Sequence, residues 1–515
     1  MFLLHMESII FISFIIYTCL LFVITWLTSR HAGNDAFFRG NRKSPWPVVA
    51  YGMLGASLSG VTFMSVPGGV YYGQWTYLPM VLGYVLGYAV IALVLLPTYY
   101  RLNLTSIYSY LSQRFGKTSE GTGALFFILS RLLGSALRMY LMVFVLYEFV
   151  FRAWGMPFWV PAVVFIALIL LYTFRGGIKT IVWTDTLQTT FLLLAAILTL
   201  AAVLKQMNIG LLPLLEKARG EGLTKMWEID ISHPRFWMKQ VLAGTFITIT
   251  MTGLDQDMMQ KNLTCRNLRD AQKNVMTSSI LFIIVNIIFL SLGSALICYA
   301  QSTGLALPTN EQGLVVGDKI FPSIAFSLNT FTSIVFVLGL IAAGYSSADG
   351  TLTALTTTLC YDFLHIDQRY PLSQEGQRLL AQGGSTELLE AADLAVEHRK
   401  MKLRKVIHVS FALLFLLVII AFRPFHNDSL INQIFDIAGF TYGPLLGMFT
   451  FGLFTKWQVR DQWVLVVAAV SPVMCYILKM NSFSWFGYHF GFEILLLNGL
   501  LTFLGLCLIR KKDTI

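Results

Sequence analysis

The stretch "IAAGYSSADGTLTALTTTL", Ile341–Leu359, sits where the chain should be crossing a membrane, yet it carries two adjacent serines, an aspartate, glycines and a ladder of threonines. A helix facing lipid favours Leu, Ile, Val and Phe. An ionisable group within a span is a functional hypothesis by default. What these oxygens serve is the question from which the rest of the sequence is best read.

The surrounding chain is strongly apolar. Of 515 residues, 56% are hydrophobic and 12% charged, with a mean hydropathy of +0.67. A soluble domain carries roughly 25% charged residues. The apolar runs are continuous and about 20 residues long, which fits membrane helices and not the alternating strands of a barrel. The expected class is an all-α integral membrane protein in the lipid bilayer. The net charge of +10 is read as basic cytoplasmic loops, not as a nucleic-acid surface. The six cysteines form no CxxC or Cys/His cluster, so neither a disulfide scaffold nor a zinc site is indicated. No P-loop, GxSxG or HExxH occurs, so ATP drive and hydrolase chemistry have no support and no enzyme is expected.

Thirteen spans are expected, centred near residues 18, 60, 88, 137, 166, 195, 248, 289, 344, 414, 443, 471 and 498. The first, from about Ile9 to Leu27, is read as a retained helix rather than a signal peptide. One set of loops, including Arg39, Arg42, Arg114, Lys261, Arg266, Lys400 and Arg404, holds most of the Lys and Arg. That set is expected to be cytoplasmic, with the N-terminus outside and the C-terminus inside. Residues 1–45 are read as an extra helix and loop, 46–457 as the core, and 458–515 as two further helices with a basic tail. A polar cytoplasmic insertion is expected over 365–405.

The second span, "YGMLGASLSGVTFMSVPGGVYYG" (Tyr51–Gly73), places Gly, Ser and Pro67 in its middle. Either the helix breaks there, which membrane depth tolerates only where the backbone is buried or lines a cavity, or small residues form a tight packing seam. In the opening stretch Ala343, Ser346 and Ser347 share one helix face. Two hydroxyls and a carbonyl are ligands for a small hard cation, and an interrupted helix supplies more. The alternative is that these hydroxyls bond back to their own helix. Asp349 lies about 60° around the helix from Ser346. In "TFRGGIKTIVWTDTLQ" (Thr173–Gln188), Asp185 is expected just inside the cytoplasmic mouth, with Gln188 one turn deeper. Asp185 reads either as a cation stop or as a helix-start acid. Arg138 must face a substrate carboxylate or pair with a buried acid; pairing is the favoured reading. Asp255, Gln256 and Asp257 are expected as caps and gate contacts.

Three segments, "GGIKTIVWTDTLQ", "AAGYSSADGTLTALTTTLCYD" and "AGFTYGPLLGMFTFGLF" (Ala438–Phe454), together resemble the sodium:solute symporter family. The resemblance runs from about Trp46 to Trp457. It implies thirteen helices, with two inverted five-helix repeats and broken helices at the core. It also implies a sodium site of Ser346, Ser347 and the Ala343 carbonyl, completed by carbonyls of the second span. A gap-free alignment places these at Gly55 and Leu58; aligning to the sugar-carrying branch places them at Gly60 and Phe63. By the same resemblance Asp185 lies on the cytoplasmic sodium path or helps hold a second sodium. Gln188 matches a second-sodium ligand of the iodide branch. Asp349 and Gly350 replace a serine-rich pair of the sialic-acid branch. Thr248 and Met251 replace sugar ligands, so galactose recognition does not carry over. Ser59, Thr62, Thr248 and Arg138 are the substrate candidates.

The expected function is sodium-coupled symport of a small organic solute into the cell by alternating access, in the plasma membrane. Proton-coupled or uncoupled transport, with Asp185 or Asp349 titrating, and a non-transporting membrane sensor on the same scaffold are the alternatives. Neither the identity of the solute nor the oligomeric state is written in the sequence.

Overall fold

A computed structural model describes residues 2–511 apart from 31–32, 232, 371–385, 424–429 and 489. The longer helices, in chain order, are α1 (Phe2–Ser29), α2 (Trp46–Ser57), α3 (Gly60–Gly73), α4 (Leu78–Val90), α5 (Lys117–Leu146), α6 (Trp159–Gly176), α7 (Ile178–Met207), α8 (Trp237–Thr248), α9 (Gln256–Asn262), α10 (Leu268–Thr303), α11 (Gly317–Leu328), α12 (Thr330–Thr358), α13 (Thr386–Ala421), α14 (Leu430–Phe454), α15 (Val464–Phe486) and α16 (Ile494–Leu508). Among the described residues there is no strand, only isolated bridges. Among the described residues nine helical segments are long and apolar enough to cross a membrane, or ten if the bent pair α2–α3 counts as one crossing. All thirteen expected centres fall within helical segments or, near residue 60, at the bend. Of the insertion expected over 365–405, residues 371–385 lie outside the described residues, and α13 begins directly after them at Thr386.

The opening stretch is not in lipid. Every residue of α12 from Gly339 to Thr358 is buried, because α7 packs along one side of it and α2, α3, α5 and α13 pack on others. Lipid is met by outer helices, whose Ile16, Leu93, Leu171 and Leu417 are each more than half exposed. An apolar belt outside and hydroxyls within is the inverse of a soluble fold, and it follows from the bilayer acting as solvent.

The second span breaks. α2 ends where the Leu58 N–H donates to the Leu54 carbonyl at 2.8 Å. Leu58 (φ −85°, ψ 81°) and Ser59 (φ −68°, ψ 167°) leave the helical region, and α3 restarts at Gly60 with a bend of 62°. Ser59 caps the new helix, its Oγ accepting from the Thr62 N–H at 3.4 Å. The break precedes Pro67, which lies inside α3. The small-residue seam is present as well. A Cβ added at Gly68 would come within 2.0 Å of the Gly317 carbonyl oxygen, and one at Gly55 within 2.2 Å of Thr189 Oγ1. A second interruption lies between α8 and α9. After a π-helical turn at Ile249–Gly253, Asp255 takes extended backbone (φ −115°, ψ 122°) and caps α9, accepting from the Met258 N–H.

Candidate cation and solute site

The break in the second span faces the serine face of α12. An added Cβ at Gly60 would lie 4.0 Å from both Ala343 Cβ and the Gly344 nitrogen. Ending α2 at the break strips the carbonyls of its last turn, Gly55 to Leu58, of their i+4 donors. Gly60 and Phe63, the alternative pair, lie beyond the break in α3. There only Phe63 loses its helical donor, since Pro67 has no N–H. Ser346 Oγ donates to Asp185 Oδ1 at 2.7 Å, and Ser347 Oγ donates to the Ala343 carbonyl at 3.1 Å. A hydroxyl that has given up its hydrogen in this way keeps its lone pairs for a cation. The back-bonding alternative therefore holds for Ser347 and for Thr351, Thr356 and Thr357, but not for Ser346.

Asp185 is neither a helix cap nor a first-turn acid. α7 begins at Ile178, immediately after Gly177, whose φ of +49° reverses the chain. An added Cβ there would meet Phe37 at 2.4 Å. Asp185 consequently lies about two turns inside the helix and is fully buried. Its backbone carbonyl accepts from Thr189 Oγ1, and its Oδ2 is 2.9 Å from Lys261 Nζ. That lysine corrects the loop reading. Lys261 lies in α9 and is 1% exposed, lodged between Asp185 and, at 3.6 Å, Asp257. Arg404, from the same expected loop set, is also buried and stacks over Phe37. Long basic side chains beside helix ends read as loop charges until packing shows which way they turn.

Asp349 is buried and held by neutral donors: the Tyr172 hydroxyl at 2.8 Å, the Gln188 amide at 3.4 Å and the Gly350 N–H at 2.6 Å. Gln188 thus ties α7 to α12.

Among the described residues, Arg138 has no acid within ion-pair distance, so the favoured pairing is not seen there. Among the described residues, Arg131 makes that bond, reaching Asp255 through Nε at 2.5 Å and Nη2 at 2.6 Å, with Tyr442 donating to the same carboxylate. Sequence reasoning missed this pair; the signal available was a second arginine inside the same span, two turns from Arg138. Gln256, expected as a cap or gate contact, accepts from the Ile107 N–H and donates to the Thr105 carbonyl, both at 2.9 Å.

A cavity of about 90 Å³ is lined by all four substrate candidates, Ser59, Thr62, Arg138 and Thr248, together with Tyr84, Tyr88 and Met251. Tyr77 and Phe435 line both this cavity and a larger one of about 430 Å³ beside Arg235 and Lys239, at the end of the molecule where α3 finishes. They divide the two spaces.

The sequence pattern of the sodium:solute symporter family matches residues 37–370. The chain belongs to the sodium:solute symporter family. Family members named as relatives include the sodium/sialic acid symporter NanT of Aliivibrio fischeri, 24% identical over 90% of this chain and 86% of that one. The sodium/sialic acid symporter SiaT of Proteus mirabilis is 24% identical over 85% and 82%. The human sodium/iodide cotransporter is 25% identical over 83% of this chain and 63% of its own length. A substrate-bound, outward-open Na+-coupled sialic acid symporter superposes with a TM-score of 0.78 at 21% identity, covering 98% of this chain and 99% of that one. As a family member, the chain is a multi-pass membrane protein that couples solute movement to sodium.

Proposed function

We propose that the chain carries a small organic anion into the cell with sodium. Sodium sits between the hydroxyls of Ser346 and Ser347, the carbonyl of Ala343, and the carbonyls of Gly55 and Leu58. The observation carrying this reading is the approach of the α2–α3 break to α12, where Gly60 lies against Ala343 and Gly344 on the turn before Ser346 and Ser347. The anion is held by Arg138, with Ser59, Thr62 and Thr248 as polar neighbours. Supporting that assignment, Arg138 lines the inner cavity with no carboxylate within ion-pair distance among the described residues. The relatives named for sialic acid and iodide transport anions too.

Coupling requires sodium and solute to favour the same state of the carrier. Sodium does this by tying the broken span to α12, and Ser59 links the two sites because it both caps the break and lines the cavity. Outward closure falls to Tyr77 and Phe435. Release inward runs past Asp185. With the N-terminus outside and the protein in the plasma membrane, sodium entry gains about 2.3 kcal/mol per 100 mV, and a tenfold gradient adds about 1.4 kcal/mol. For a neutral solute these together sustain several-hundredfold accumulation per ion. For a monovalent anion moving with one sodium the charges cancel, and only the chemical gradient drives uptake.

Uptake into proteoliposomes with sodium, lithium or choline outside, using sialic acid, short monocarboxylates and iodide as probes, tests the proposal. Sodium-dependent uptake that survives Ser346→Ala with Ser347→Ala removes the site assignment. A second reading, proton coupling at Asp349, draws on its wholly neutral donor set. Uptake driven by an inward proton gradient without sodium would favour it.

A further inference from the structure

Beside the serine site, carboxylates of three helices converge. Asp185 comes from α7, Asp257 from α9 and Asp349 from α12, and all three are buried. Lys261 Nζ stands among them, 2.9 Å from Asp185 Oδ2 and 3.6 Å from Asp257 Oδ1. These are ion-pair approaches rather than directed hydrogen bonds: neither carboxylate oxygen nor the ammonium has a well-aligned hydrogen-bond partner, and Gln188 Oε1 nearby is buried without a donor. The ammonium fits because residue 350 has no side chain. A Cβ there would lie 2.3 Å from Asp257 Oδ1 and 2.9 Å from Lys261 Nζ. Gly350 and Lys261 therefore occupy one space between them.

We propose that Lys261 is a built-in cation, filling the Asp185–Asp257 position beside the serine site and so limiting the chain to one coupled sodium. This rests on the sodium reading above and deepens it. An ammonium and a sodium ion carry the same charge and both seek oxygen ligands. The tethered ammonium occupies the position between Asp185 and Asp257 that a second ion would take, and Arg131 Nη1 adds positive charge 3.7 Å from the other oxygen of Asp257. A site emptied of that ammonium presents two buried carboxylates and the Ser346 hydroxyl already donating to Asp185. Those are hard oxygens of the kind a dehydrated sodium takes as ligands. The sequence presents Asp185 and Asp349 as second-sodium or exit-path residues. On this inference Asp185 is engaged by the lysine, while Asp349 is held by its own neutral donors.

The test is equilibrium binding of radioactive sodium to the purified full-length protein, with choline replacing sodium at constant ionic strength and no solute present. Wild type is expected to bind one sodium per chain with a Hill coefficient near one, and Lys261→Arg the same. Lys261→Gln combined with Gly350→Ser, which removes the ammonium and puts a hydroxyl in its space, is expected to bind two, with a Hill coefficient well above one. Two sodium ions on wild type, or one ion at unchanged affinity on the double variant, overturns the proposal. Ser346→Ala with Ser347→Ala separates the two readings. Loss of the single wild-type ion supports the serine site, and its retention removes that site while the lysine arm is still decided by the double variant. Should the double variant fail to fold, the wild-type stoichiometry decides.

Discussion

Ser346 Oγ donates its hydrogen to Asp185 Oδ1 at 2.7 Å, joining α12 to α7 in the middle of the bundle. The bond orients the hydroxyl and points its remaining lone pairs away from the acid. In the proposed sodium site Asp185 is thereby a positioning group, and its other oxygen faces Lys261.

Removing that orientation should weaken sodium more than removing the charge alone. Asp185→Ala is expected to raise the sodium concentration for half-maximal uptake by about tenfold or more, equivalent to about 1.4 kcal/mol. Asp185→Asn keeps an acceptor for Ser346 and should shift it less. Initial uptake rates across a sodium titration in proteoliposomes read the difference.

The two arginines of α5 should separate cleanly. Arg131→Met leaves Asp255 buried and uncompensated, at a cost of about 3–5 kcal/mol, and should lower the melting temperature markedly. Arg138→Met strands no carboxylate and should melt near wild type while losing solute-induced stabilisation and raising KM. Thermal melts in detergent, with and without each probe anion, check both. The reverse pattern would move the anion anchor to Arg131.

Asp349→Asn can still accept from Tyr172 and Gln188, so sodium-dependent uptake should persist at close to wild-type half-saturation. A variant that loses uptake, or loses a response to pH that wild type shows, would instead place Asp349 in the coupling path. Uptake measured from pH 5.5 to 8 with sodium held constant distinguishes these outcomes.

Close approach at the glycines gives a packing prediction. Gly55→Ala drives a methyl into Thr189 Oγ1, and overpacking of this kind costs about 1–3 kcal/mol. Thr189→Ala in the same chain should recover part of it, since the nearest remaining atoms are 3.2–3.3 Å away. Gly68→Ala meets a backbone carbonyl at 2.0 Å, and no side-chain change can relieve that. Melting temperatures of the two single variants and the double variant test the contrast.

The sequence by itself determined the membrane class, the approximate positions of the helices, the small-residue run of the second span and the grouping of Ala343, Ser346 and Ser347. Those follow from composition and from the 3.6-residue period, which are properties of the chain taken locally. It did not determine what meets what. The break falls at Leu58–Ser59, where the backbone leaves the helical region and Ser59 caps the helix that follows, while Pro67 is accommodated inside α3. Asp185 lies in the helix interior and not at its start, since Gly177 reverses the chain abruptly enough for α7 to begin at once. Lys261 and Arg131 are buried counterions, although Lys261 reads as a loop charge in the sequence. A long, flexible, charged side chain takes the direction of its nearest buried opposite charge, and only the tertiary packing of α5, α7, α9 and α12 brings those charges within reach.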